Sequence, residues 1–122
     1  MIHLHELPDS AVQYAIENGD FPEDILAEEH VAVIMTQSWC IEWLQMRSWL
    51  KRLADKGKPE KLEIQVYTVV YDKADYFHEF MAHKEEVFGN QLVPYVRYYS
   101  RGALRSESNY LPRGAFLGRF EE

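Results

Sequence analysis

The sequence contains one cysteine, Cys40, among its 122 residues. One cysteine excludes an internal disulfide and any zinc or iron–sulfur site that is built from several thiolates. Since a lone thiol stays unpaired most readily in a reducing compartment, we expect a cytoplasmic protein. No apolar run approaches the roughly 20 residues that a membrane helix needs, and no secretory signal is visible at the N-terminus. We therefore predict no membrane association.

Basic residues are absent from residues 1–46, which carry nine acidic ones. The whole chain has 13 basic and 20 acidic residues, and a net charge of −7 argues against a nucleic-acid partner. The balance reverses between Arg97 and Arg119, with five arginines and one acidic residue, Glu107. Two interpretations stay open: the ends of the chain attract each other, or the arginines form a patch for an anionic partner.

The composition is that of a globular protein, with 47% hydrophobic and 14% aromatic residues. A chain of this length is typical of a single domain over residues 1–122, while its oligomeric state is left open. The histidines have no metal-ligand spacing, so we predict no metal site and expect solvated side chains. These histidines are His3, His5, His30, His78 and His83.

Helical patterns alternate with short apolar runs along most of the chain. Strands are predicted at residues 31–35, 63–71, 94–100 and 103–108, with a weaker one at residues 2–4. Helices are predicted at residues 9–18, 41–56 and 73–88, with a further helical turn up to Glu29. Asp72 is expected to cap the third helix, and Gly57 and Pro59 are expected to end the second.

Helices between strands imply parallel strand pairs, and the turn at Arg101 and Gly102 implies an antiparallel hairpin. The order of elements therefore predicts an α/β sandwich whose central mixed sheet is flanked by helices. Pro112, Gly114 and Gly118 indicate that a C-terminal helix is short or missing.

Cys40 falls between a predicted buried strand and the start of a predicted helix. A helix N-terminus stabilises an anion such as a thiolate, so this position favours a reactive thiol. A free cysteine is also a small apolar side chain that packs into a core without reacting. Both interpretations stay open on position alone.

The strand, Trp39 and Cys40 resemble the redox site of the thioredoxin family, and Val93-Pro94 with the following strand and Gly102 resembles its proline-initiated strand and hairpin. The resemblance covers residues 25–108. It implies a thioredoxin-like three-layer sandwich with Cys40 as the attacking thiol and a cis Val93–Pro94 bond facing it. It also implies a substrate groove, shaped by Trp39, Trp43, Val93, Pro94 and Tyr95, that takes up a bound chain by strand addition.

The sequence departs from the family motif Cys-x-x-Cys, because Trp43 replaces the second cysteine. A dithiol cycle is excluded, which leaves a monothiol cycle in which an external thiol such as glutathione resolves a mixed disulfide. The expected partners are protein or peptide disulfides or low-molecular-weight thiols, with no bound cofactor. The family's buried acid is replaced by Ile34, which favours an alternative: a non-catalytic binding or adaptor domain. Trp43 either fills the core or lines the groove.

Overall fold

A five-stranded sheet forms the centre of the computed structural model, which describes residues 1–55 and 62–120. The strands are β1 (Ile2–Glu6), β2 (Val31–Thr36), β3 (Ile64–Val70), β4 (Tyr95–Ser100) and β5 (Ala103–Ser108). Their order in the sheet is β1-β3-β2-β4-β5. β3 pairs in parallel with β1 and β2, while β4 pairs antiparallel with β2 and β5. The predicted mixed sheet is confirmed.

Helices cover both faces of this sheet. They are α1 (Asp9–Asn18), α2 (Glu23–Leu26), α3 (Ile41–Asp55), α4 (Phe77–Glu86) and α5 (Arg113–Gly118). Because successive strand residues point to opposite faces, β2 supplies Val31, Val33 and Met35 to the cluster with α1 and α4, and Ala32 and Ile34 to the cluster with α3 and α5. The three-layer sandwich with a short C-terminal helix is confirmed.

The main error in the predicted elements concerns the third long helix. It begins at Phe77 and ends at Glu86, whereas the sequence predicted residues 73–88. Asp72 does not cap this helix, because its carboxylate accepts two hydrogen bonds from Ser38 instead. The predicted end of the second helix, at Lys56 with Gly57 and Pro59, lies outside the described residues.

His83 is buried, so the prediction that it is solvated is wrong. Its Nε2 lies 3.1 Å from the Gly19 carbonyl oxygen, and its ring meets Phe88 edge-on at a centroid distance of 4.7 Å. The cause is the packing of α4 against α1, which turns this face of α4 inward. Separately, no helix within residues 1–55 or 62–120 is long and apolar enough to cross a membrane.

Two of the five clustered arginines connect the ends of the chain. Arg97 Nη2 lies 3.4 Å from Asp20 Oδ2, and Arg101 Nη2 lies 3.7 Å from Glu29 Oε1. The attraction between chain ends therefore accounts for these two. The other three, Arg105, Arg113 and Arg119, form no salt bridge with any residue that the structure describes.

Candidate functional site

Cys40 caps the N-terminus of α3, directly after the connector that follows β2. Its backbone carbonyl accepts a hydrogen bond from Leu44 N at 3.1 Å, and its own N–H donates to Gln37 O at 3.2 Å. The residue is 5% exposed, and Sγ lies 3.7 Å from the Val93 carbonyl oxygen. The thiol thus lies at the positive end of the helix dipole and donates its proton towards Val93.

The segment opposite Cys40 is the Val93–Pro94 bond, which is cis. A pair of asparagines holds it in place. Asn109 Nδ2 donates to Pro94 O at 3.0 Å and to Asn90 Oδ1 at 3.1 Å, and Asn90 Oδ1 also accepts from Leu92 N at 2.9 Å. The two amides therefore fix the backbone on both sides of Val93.

A buried lysine supports the same segment from below. Lys84 on α4 is almost fully buried, and its Nζ donates to Asn90 O at 2.8 Å. Burial lowers the pKa of Lys84, because the charged ammonium is separated from water. The ammonium also lies 5.8 Å from the centre of the Tyr95 ring. Lys84 therefore connects the loop that carries Val93 to α4.

The connector before Cys40 is held by Asp72 and Gln37. Ser38 donates to Asp72 through its backbone N–H at 2.9 Å and through its hydroxyl at 2.6 Å. Gln37 Nε2 donates to the Tyr71 hydroxyl at 3.2 Å, while Gln37 Oε1 accepts from Trp39 Nε1 at 2.6 Å. These contacts fix the exposed indole of Trp39 beside the cysteine.

Together these segments enclose an open cavity of about 450 Å³, the Cys40 groove. It is lined by Trp39, Cys40, Ile41, Glu42, Gln91, Leu92 and Val93. Three of its apolar side chains are strongly exposed: Trp39 at 64%, Ile41 at 71% and Leu92 at 65%. Exposed apolar side chains gathered round one cleft are typical of a binding surface. Among the lining residues, Glu42 alone carries an ionisable carboxylate.

Two predicted groove residues lie elsewhere. Trp43 is three residues after Cys40 on α3, so it faces the sheet, where it is buried and borders a separate cleft with β1. Tyr95 follows Pro94 on β4 and points to the opposite face of the sheet, where its hydroxyl donates to Glu107. Of the other predicted residues, Trp39 and Val93 line the groove with Cys40, while Pro94 is buried behind it.

The sequence reasoning missed two sets of residues. Ile41 and Leu92 flank the recognised motifs, and their apolar side chains next to a predicted site were a usable signal. Asn90, Asn109 and Asp72 act through hydrogen bonds that join distant parts of the chain, and their sequence positions indicated only turns or caps.

The Asp72 contact predicts an acid-sensitive connector. Partial burial raises the pKa of Asp72, but hydrogen bonds from the Ser38 hydroxyl and N–H outweigh it, so the pKa lies below its ordinary 3.8. A carboxyl group whose pKa is lower in the folded than in the unfolded protein stabilises the fold at pH values above its ordinary pKa. This contribution is lost as the pH falls through the folded-state pKa. We expect Asp72→Asn to reduce the unfolding free energy at pH 7 by about 1 kcal/mol.

Urea unfolding at pH 7 and at pH 3 measures this effect. The matched control is Asp75→Asn, since Asp75 is exposed and forms no hydrogen bond within the described part of the chain. The deficit of Asp72→Asn relative to wild type should shrink at the lower pH. An equal deficit at both pH values would rule out a contribution from the ionised carboxylate.

Comparison with known proteins identifies the fold. No protein-family model matches the sequence, and no curated protein matches it. Among solved structures, thioredoxin O1 from Arabidopsis thaliana is similar over 97% of this chain and 95% of that one, with a TM-score of 0.63 and 11% identity. The thioredoxin of Malassezia sympodialis has a TM-score of 0.64 at 11% identity, over 97% of this chain and 88% of that one.

A third similar structure is Trxlp from Edwardsiella tarda, with a TM-score of 0.60 and 16% identity over 97% of both chains. The chain therefore adopts the thioredoxin fold. Within that fold it is a single-cysteine form, with Cys40-Ile41-Glu42-Trp43 at the start of α3.

Proposed function

We propose that this thioredoxin-like protein is a monothiol thiol–disulfide exchange protein that acts through Cys40. The observation that carries the proposal is the position of Sγ, 3.7 Å from the Val93 carbonyl at the floor of the Cys40 groove. A disulfide in an extended segment placed along Val93 would lie beside the only thiol of the chain. Trp39, Leu92 and Ile41 would contact the side chains of that segment.

The reaction needs two exchanges, because the chain has one thiol. The Cys40 thiolate attacks one sulfur of a substrate disulfide, forming a mixed disulfide and releasing the other sulfur as a thiolate. An external thiolate, such as that of glutathione, then attacks the mixed disulfide and regenerates the Cys40 thiolate. For a glutathione mixed disulfide, the first exchange releases the substrate thiolate, and the second releases oxidised glutathione, made from the glutathione of the substrate and one external glutathione. A substrate disulfide between two cysteines needs a further exchange with a second external thiol before both of its sulfurs are reduced.

The Val93 carbonyl controls the first step. Its oxygen accepts the hydrogen bond of the Cys40 S–H group at an S–O distance of 3.7 Å. Attack therefore requires Sγ to lose its proton and turn away from Val93 into the groove. A backbone N–H of the substrate that donates to the Val93 carbonyl would replace the Cys40 S–H group there and free Sγ. Substrate binding would in this way increase the reactivity of Cys40.

The lining of the groove supports a proposal for the substrate class. Its exposed surface is apolar, and its one carboxylate, Glu42, favours apolar over acidic side chains in the peptide that flanks the disulfide. We therefore propose that the protein acts on peptide or protein disulfides, including glutathione mixed disulfides, that have apolar neighbours. A reducing compartment such as the cytoplasm would supply the external thiol.

A turnover assay tests the proposed function. A peptide with one glutathionylated cysteine and apolar flanking residues is incubated with the protein, excess glutathione, glutathione reductase and NADPH. We expect NADPH oxidation to rise in proportion to protein concentration and to be slower with acidic flanking residues. A rate equal to the reaction without protein would contradict catalysis.

Burial of the thiol favours a second candidate, a binding domain that does not turn over. Cys40 is only 5% exposed and belongs to the apolar cluster beneath α3. In that case the Cys40 groove would hold an apolar peptide without reacting with it. Binding that persists in the protein lacking the thiol, together with a flat turnover assay, would support this candidate over the first.

Both candidates predict that Leu92 contributes to peptide binding. Leu92→Ser should weaken the affinity for an apolar peptide about tenfold, because an exposed leucine that becomes covered contributes about 1.5 kcal/mol. The matched control is Leu104→Ser, since Leu104 is also exposed but lies on β5. Fluorescence titration with a labelled peptide measures both. Equal effects of the two substitutions would place the peptide elsewhere.

A further inference from the structure

A second cavity lies at the far end of the sheet from Cys40. His30 directly precedes β2, whereas Cys40 follows the other end of that strand. This cavity, the arginine pocket, has a volume of about 230 Å³. It is lined by His30, Tyr98, Ser100, Arg105, Arg119 and Phe120, together with Tyr99.

An irregularity in the sheet places the first arginine. Tyr98 pairs with Ser106 and Tyr99 pairs with Leu104, so Arg105 has no opposite residue in β4. Such a bulge redirects the side chain of the extra residue. Arg105 accordingly lines the pocket, and it forms no hydrogen bond or salt bridge with any residue in the described ranges.

The second arginine is held in position by its own contacts. Arg119 Nη1 donates to the Glu107 carbonyl at 3.2 Å, and the guanidinium lies 5.5 Å from the centre of the Tyr98 ring. Its remaining N–H groups have no acceptor among the residues at 1–55 and 62–120. The guanidinium of Arg119 is therefore held at the pocket wall by two contacts and keeps donors for a ligand.

The remaining lining residues add donors and an apolar wall. His30 packs edge-on against Phe120 at a centroid distance of 5.9 Å, and Ser100 supplies a hydroxyl. Within the part of the chain that the structure describes, one carboxylate contacts a basic lining residue: Glu29 Oε1 lies 3.7 Å from His30 Nε2, and the same oxygen lies 3.7 Å from Arg101 Nη2. Among the residues at 1–55 and 62–120, Arg101 therefore balances the charge of Glu29, and Arg105 and Arg119 leave two positive charges at the pocket.

We propose that the arginine pocket binds a phosphate dianion, either free phosphate or the phosphate group of a small monoester. Two guanidinium groups match a charge of about −2, and their planar donor arrangement suits tetrahedral oxyanions. The volume is below the range of about 300–1,000 Å³ that is typical of drug-sized ligands, which favours a small anion. The positive charge of the two arginines is confined to the pocket, since the whole chain has a net charge of −7. This site is separate from the proposed exchange reaction.

Calorimetric titration at constant ionic strength tests the proposal, with inorganic phosphate and phenyl phosphate as probes. We expect saturable binding of at least inorganic phosphate. Arg105→Gln and Arg119→Gln should each weaken it about tenfold, as loss of a charge-assisted hydrogen bond predicts. Binding of phenyl phosphate as well would assign the site to monoesters, whereas binding of inorganic phosphate alone would assign it to the free ion.

The control is Arg113→Gln, which makes the same charge change on an exposed arginine outside the pocket. It should retain the wild-type affinity. If Arg119→Gln unfolds because it loses the Glu107 contact, Arg105→Gln still tests the proposal, since Arg105 has no such contact. Absence of saturable binding to the wild type, or equal weakening by Arg105→Gln and Arg113→Gln, would overturn it.

Discussion

Replacement of Cys40 by serine is expected to reduce the rate of disulfide reduction to that of the uncatalysed reaction. Cys40 is the only thiol in the sequence, so no other side chain can form a mixed disulfide. Serine is close in size, and its hydroxyl retains a donor for the Val93 carbonyl, which Cys40 Sγ contacts at 3.7 Å. The fold and the Cys40 groove should therefore survive the substitution while the chemistry is lost.

The turnover assay with the glutathionylated peptide measures this loss, and peptide titration of the same variant reports the groove. We expect Cys40→Ser to bind the peptide with the wild-type affinity and to show only the background rate of turnover. Leu104→Ser, on exposed β5, serves as the control that should retain full turnover. Turnover by Cys40→Ser that exceeds background would assign the activity to a contaminant or to a different group.

Replacement of Arg97 by methionine is expected to produce the largest loss of stability. Arg97 lies within the sheet and is only 10% exposed as a side chain. Its Nε donates to the Tyr99 hydroxyl at 2.7 Å, and its Nη1 donates to the Tyr95 hydroxyl at 3.0 Å. It also approaches Asp20 at 3.4 Å and Glu107 at 3.7 Å, and its guanidinium covers the Phe88 ring.

Methionine fills much of the volume of the arginine side chain, but it has no N–H group to donate to the tyrosine hydroxyls or to the carboxylates of Asp20 and Glu107. Both tyrosines remain protonated at neutral pH, since burial and the hydrogen bond to Glu107 raise the pKa of Tyr95 to about 12, and burial also raises the pKa of Tyr99. Their hydroxyl groups would each lose a donor. We expect the unfolding free energy to fall by about 3 kcal/mol, the lower end for a broken buried pair, because Asp20 and Glu107 are partly exposed.

Chemical denaturation at pH 7 measures the loss. Arg113→Met is the matched control, because Arg113 is exposed and contacts no carboxylate in the described part of the chain. Its effect should stay within about 0.5 kcal/mol, as for ordinary surface substitutions. A loss from Arg97→Met that is no larger than this control would show that the network contributes nothing to stability.

The sheet and its layers were predictable because their signals are local. The run from Val31 to Met35 is apolar and rich in β-branched residues, and a strand buried on both faces needs that pattern. The turn at Arg101 and Gly102 requires positive φ at both residues, which a glycine at the second position permits easily. The alternation of these strands with amphipathic helices then predicted the mixed sheet and placed Cys40 after the C-terminal end of β2.

The contacts that shape the Cys40 groove were not predictable in the same way. Asp72 directly precedes the predicted third helix, so the sequence alone indicated a helix cap. Its contact with Ser38, which is 34 residues away in the chain, forms only in the folded protein. Asn90 and Asn109 meet through the pairing of β4 with β5 and the loop before β4. The side of the sheet that Tyr95 faces depends on where β4 begins, and a shift of one residue would turn its side chain to the face that carries α3.

The most direct test of the central claim is the reaction of the reduced protein with oxidised glutathione, followed by intact mass spectrometry. If Cys40 Sγ can leave the Val93 carbonyl and attack a disulfide, the native protein should gain the mass of one glutathionyl group and release one glutathione, and added glutathione should reverse the reaction. The adduct should map to Cys40. A native protein that stays unmodified, yet reacts fully once it is unfolded, would contradict the claim and leave Cys40 as a buried core residue.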